Sequence, residues 1–108
     1  MPIELDRAAT DALLKSKWDG MKQVLASGYD DKALRYFDGS VREKYYRVLT
    51  DLGTDLASII PTLEDITLIS LNGEIAEYIT ARDQNGKRYV YFIYFMQDFD
   101  GIWKIKGM

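Results

Sequence analysis

Apolar residues follow one rhythm up to about residue 61 and another from Leu63 onward. In the first half, Leu14, Trp18, Met21 and Leu25 recur at helical spacing, so residues 6–27 are expected to form an amphipathic helix with one buried stripe. Gly20 is mildly unfavourable inside it, and Gly28 ends it in the position that tolerates left-handed backbone. Asp30 or Asp31 can cap a short second helix, with Leu34 and Phe37 inward and Gly39 closing it. Ser40 and Glu43 have the spacing of a capping box, in which hydroxyl and carboxylate each satisfy a backbone N–H of the first turn. The helix so opened is expected to bury Val41, Tyr45, Val48, Leu49 and Leu52 and to end at Gly53. Thr54 or Asp55 then starts one or two turns, DLASII, which stop before Pro61 because the residue ahead of proline avoids helical geometry.

From Leu63 the period is two. Asn72-Gly73, Asn85-Gly86 and Asp100-Gly101 each suit a two-residue turn with positive φ at both positions. They divide the second half into strands at about 63–71, 74–84, 87–99 and 102–106, joined as an antiparallel meander. Helices first and strands second predict an α+β fold, with N-terminal helices packed on one face of a curved four-stranded sheet. A chain of 108 residues is expected to make one domain, with a helical half over 1–61 and a sheet half over 62–108.

Two-residue loops at all three turns also predict which side chains share a face. Ile66, Leu68, Ile75, Glu77, Ile79, Ala81, Val90, Phe92, Tyr94, Met96, Trp103 and Ile105 fall on one side, expected to meet the helices. Thr67, Ile69, Ala76, Tyr78, Thr80, Arg82, Tyr89, Tyr91, Ile93, Phe95, Lys104 and Lys106 fall on the other, which is half polar and rich in tyrosine. A one-residue bulge would exchange part of these two sets. On the outer side, Tyr78, Tyr89, Tyr91, Ile93 and Phe95 form a strip larger than a monomer usually leaves in water. A homodimer through this strip is therefore expected, with cover from a neighbouring domain of a longer protein, or plain exposure of the tyrosine hydroxyls, as the alternatives.

The layout resembles the nuclear transport factor 2-like superfamily, which includes SnoaL-like cyclases and ketosteroid isomerases. The resemblance runs over about residues 10–106 and rests on VLASGYDDKALRYF at the end of the first helix, on SVREKYYRVLTDLG, and on the closing hairpin FDGIWKIKG. It implies a cone-like fold whose sheet curls around the helices, a pocket at the wide end, and dimerisation through the outer sheet face. The small strand or hairpin that the family usually places between helices and main strands is not evident. Enzymes of the family use Asp or Tyr lining the cone, and some use an Asp–His pair. This chain has no His, so that pair is excluded, and no segment carries the isomerase motif.

Composition narrows the chemistry further. Without Cys or His there is no disulfide, no thiolate or imidazole metal ligand, no cysteine nucleophile and no Ser-His relay. Acid–base work would fall to Asp, Glu, Tyr or Lys. A net charge of −3 with scattered Lys and Arg argues against nucleic-acid binding. No apolar run approaches the roughly 20 residues a membrane span needs, and the first residues lack the basic head and apolar stretch of a signal peptide. An exported origin stays open if the chain is a fragment. No cofactor or metal is expected. Asp30, Asp31 and Asp38 lack the alternating oxygen ligands of a calcium loop and read better as helix caps.

Glu77 is the anomaly of the inner face, expected opposite Leu68 on one side and Tyr94 on the other. Burying a carboxylate costs several kcal/mol, more than the roughly 1.5–3 kcal/mol a hydrogen bond to it returns. Glu77 therefore sits at a solvated rim, or serves as an acid in a pocket, or the register differs. As an acid beside Tyr94 it could move a proton next to a carbonyl, with Asp98, expected opposite Trp103, as a further candidate. Asp83 and Arg88 face each other across the second turn as a structural ion pair. Trp18, Met21, Tyr45, Phe92, Tyr94 and Trp103 are the residues expected to line any apolar ligand pocket. The leading expectation is a non-catalytic binding or interaction module, dimeric, with a small apolar pocket. The alternative is an acid–base enzyme of the SnoaL or isomerase type acting on an apolar small molecule.

Overall fold

A computed structural model describes residues 7–28 and 30–108. The expected helix start at residue 6 lies outside them, as do the side chains of the two possible caps Asp30 and Thr54. Helix α1 spans Arg7–Ala26 and buries the expected stripe of Leu14, Trp18, Met21 and Leu25. Gly20 is there for a close approach: a Cβ at this position would stand 2.7 Å from the Tyr36 hydroxyl. Helix α2, Asp30–Ala33, runs on through a 3-10 turn at Leu34–Tyr36. Phe37 then makes a single parallel bridge to Ile105, a strand-like contact in the helical half.

Helix α3, Arg42–Leu52, is entered through a 3-10 turn at Gly39–Val41. The capping box is not formed. Asp38 takes the cap instead, its carboxylate accepting from the Ser40 N–H at 3.0 Å and from the Ser40 hydroxyl. Glu43 turns outward to Arg47 at 2.7 Å. An aspartate one residue ahead of the turn reaches these donors more directly than a hydroxyl within it. Tyr45 and Leu49 are buried as expected, but Val48 is 40% exposed. Helix α4, Leu56–Ile59, continues through Pro61 as a 3-10 turn at Ile60–Thr62, where proline near the first position loses no needed N–H.

The sheet is an antiparallel meander of β1 (Thr67–Asn72), β2 (Ile75–Gln84), β3 (Lys87–Gln97) and β4 (Trp103–Gly107), in that order. Only the second turn has the expected form, with φ of 54° at Asn85 and 77° at Gly86. In the first, Gly73 is the first loop residue and Asn72 pairs with Ile75, as in a turn with positive φ at its first position alone. The third has a three-residue loop, Phe99–Gly101, closed by the Asp98 N–H on the Ile102 carbonyl at 2.9 Å. Bulges lie between Leu68 and Ser70 and between Tyr94 and Phe95.

These departures reverse the expected facing of the central strands. Ala76, Tyr78, Thr80, Ile93 and Phe95 are buried against the helices, together with Trp103 and Ile105. Ile75, Val90, Phe92 and Tyr94, expected inward, are exposed on the opposite side. The physical reason is the third loop. Its extra residue pairs Trp103 with Gln97 and Ile105 with Phe95, so an inward Trp103 and Ile105 carry Phe95 inward with them. Tyr78 tucks its hydroxyl against Asp11 of α1 at 2.7 Å and its ring edge-on to Phe95. Burial first, and that bond second, push its phenol far above the usual range.

Candidate functional site

The alternation of β2 and β3 carries their inner face past the end of the helices, where residues 83–90 are all exposed. A pocket of about 400 Å³ opens where that face emerges. Helix α3 contributes Lys44, Val48 and Leu52, one stripe at i, i+4 and i+8, with Tyr45 beside it. Trp18 comes from α1, Ile59 from the last position of α4, Leu63 from just after the 3-10 turn that follows it, and Met108 from beyond β4. The sheet side is Thr80 and Arg82 of β2 with Tyr91 and Ile93 of β3.

Most polar groups here are already engaged. The Thr80 hydroxyl donates to the Glu64 carbonyl at 2.7 Å, and the Arg82 Nε donates to the Thr62 hydroxyl at 2.8 Å. The Tyr45 hydroxyl accepts from the Met108 N–H at 2.8 Å, and the Lys44 ammonium stands 5.4 Å from the Tyr45 ring centre. Trp18 is 2% exposed, and its indole N–H has no acceptor.

Of the expected pocket residues, the structure brings Trp18 and Tyr45 together. Met21 is packed in the core between helices and sheet, and Trp103 borders a separate hollow with Lys17 and Tyr36. Phe92 and Tyr94 are on the outer sheet face, stacked on each other with ring centres 6.4 Å apart. The catalytic candidates do not converge on the pocket. Glu77 is on the outer face, opposite Tyr94 as expected, where it accepts from the Ser70 hydroxyl at 3.1 Å. The anomaly of a core carboxylate therefore disappears with the corrected facing. Asp98 accepts from the N–H groups of Asp100 and Ile102, at 2.9 and 3.0 Å, and so builds the third loop.

The expected dimer strip is divided as well. Tyr78, Ile93 and Phe95 are core residues, while Tyr89 and Tyr91 are exposed on the inner-face side, beyond the helices. The pocket residues that sequence reasoning missed were partly signalled: the Lys44, Val48, Leu52 stripe is visible in SVREKYYRVLTDLG beside the buried Tyr45 and Leu49. For Thr80, Arg82 and Ile93 the only signal was alternation, and it pointed to the wrong side. Arg88 meets Asp83 at 3.2 Å as expected and reaches Glu64 at 2.7 Å as well.

Among the described residues, no cluster of three Asp or Glu is placed to hold a metal ion, and no helix is long and apolar enough to cross a membrane. No protein-family model matches the chain, nor does any curated protein or solved structure compared with it.

Proposed function

We propose that this chain is a non-catalytic binding module of the nuclear transport factor 2-like kind, which receives a small apolar molecule in the pocket between α3 and the inner face of β2 and β3. The observation that carries this reading is the pocket's make-up: about 400 Å³, walled mostly by aliphatic and aromatic side chains, with no Asp or Glu side chain in its lining. That volume lies in the range of small-molecule sites. Catalysis by either expected carboxylate needs that group within hydrogen-bond reach of the bound molecule. Glu77 and Asp98 are both committed elsewhere, which favours binding over the isomerase-type alternative. A long first helix, a short second, a third entered after FDGS and a closing four-stranded meander support the family reading.

A second reading concerns assembly. The outer sheet face presents Ile69, Ile75, Val90, Phe92 and Tyr94, each more than a third exposed. These side chains form an apolar surface of several hundred Å², at or above what a monomer usually exposes. We propose that a second copy of the chain covers it.

The pocket is tested by thermal shift against a panel of apolar alcohols, ketones and acids. A ligand at 100 times its Kd stabilises the fold by about 2.7 kcal/mol, a rise of several degrees for a chain of this size. Val48→Trp, which fills the pocket from an already exposed position, is expected to abolish the shift without lowering the melting temperature of the free protein. Absence of any shift across the panel, or a shift that survives Val48→Trp, overturns the reading. Turnover of a panel compound would instead favour the enzyme.

A further inference from the structure

The uncommitted polar groups around this pocket share one property: they donate. The two charged ones, Lys44 and Arg82, have no carboxylate partner among the described residues, although the chain carries net negative charge. Lys15, Lys22, Arg47, Arg88 and Lys106 each sit beside an Asp or Glu, whereas Lys17, Arg35, Arg42, Lys87 and Lys104 form no such pair among the described residues; what sets Lys44 and Arg82 apart is that they line one apolar pocket. The Trp18 N–H is a donor only, buried and without an acceptor. Leaving such a group unmatched is costly enough that native proteins rarely do it. The Thr80 and Tyr45 oxygens are engaged already, and the Tyr45 hydroxyl still has its own proton to give. Only the Tyr91 hydroxyl can act in either sense.

A pocket with apolar walls, two cationic side chains and no Asp or Glu side chain is complementary to one kind of molecule. Resting on the pocket reading above, we infer that the ligand is an amphiphile with an apolar body and a carboxylate head, the head lying toward Lys44 and Arg82. The body replaces water along Val48, Leu52, Ile59 and Ile93. The carboxylate supplies the charge that complements the two cations, and a guanidinium whose Nε is fixed on Thr62 presents its terminal N–H groups in the planar fork that carboxylates match.

Three probes of equal chain length separate this inference from the reading beneath it: decanoate, decanol and decyltrimethylammonium, each below its micelle concentration and measured by calorimetry on the intact protein. Decanoate is expected to bind at least about tenfold tighter than decanol, and the cationic probe more weakly than either. The preference should shrink as salt is raised. In Lys44→Gln/Arg82→Gln, decanoate should fall to the affinity of decanol while decanol itself is unchanged. Arg47→Gln, which removes a cation away from the pocket, should leave the preference intact. Equal binding of decanoate and decanol to the unaltered protein overturns the carboxylate inference and leaves the apolar pocket standing. A preference that survives the double substitution also overturns it. Binding of none of the three overturns both.

Discussion

Asp38 shows how much one carboxylate can organise. It caps the turn that leads into α3 through the backbone and hydroxyl of Ser40, and it receives the Lys106 ammonium of β4 at 3.3 Å. The Ser40 hydroxyl bond first, and the Ser40 N–H second, lower its pKa from 3.8 to about 2. A folded-state value below the unfolded one means the stabilisation is complete above pH 3.8 and is lost as pH falls through about 2. Asp38→Ala is therefore expected to cost about 1 kcal/mol at neutral pH, the usual worth of such a cap. In thermal melts the gap between variant and parent should close between pH 3.8 and about 2. A gap that stays constant down to pH 2 would mean the cap is not the source. Ser40 with Glu43 was the more conspicuous signal in the sequence, but Asp38 lies where the donors point.

Among the elements, the third loop decides the most. Asp98 holds Phe99, Asp100 and Gly101 in a three-residue loop, with Gly101 at φ 79°. Reading Asp100-Gly101 as a two-residue turn puts β4 one residue out of register with β3. The signal for the longer form was an Asp two residues ahead of the Asp-Gly pair, whose carboxylate can collect the loop's N–H groups. Replacing Phe99–Gly101 by Asn-Gly is expected to drive Lys104 and Lys106 toward the core and Trp103 and Ile105 toward water. Each displaced apolar side chain costs about 1.5–3 kcal/mol, so the cooperative melting transition should fall steeply or vanish. Phe99→Glu keeps the loop length at a fully exposed position and should melt with the parent protein. If the shortened loop also melts with the parent, the pairing of Gln97 with Trp103 is not what sets the facing.

For the molecule as a whole, the outer sheet face is the open question of assembly. A stable interface buries about 800 Å² on each partner, and in the proposed dimer the exposed apolar side chains of β2 and β3 would form its centre. Light scattering on the unaltered protein is expected to give the mass of two chains, and Phe92→Glu, which puts a charge at the middle of the patch, that of one. An unaltered protein that is already monomeric, or a variant that stays dimeric, would count against this face. A charge at Tyr91 should leave the mass unchanged, because that residue lines the pocket.

The order of the elements, the stripe of α1, the pairing of β2 with β3 and the meander are all legible along the chain, because each follows from periodicity or turn chemistry over a few residues. The sequence also excluded His- and Cys-based chemistry outright. Which face of the sheet meets the helices was decided only by tertiary structure. Ile, Val, Phe and Tyr occupy both sides of β2 and β3, so composition has no preference between them. Local pattern sees each turn alone, whereas the facing is the cumulative result of loop lengths and two bulges, each of which reverses it. The pocket follows from that same decision. Lys44 and Arg82, distant in the chain, share it only because the inner face of β2 emerges beside α3.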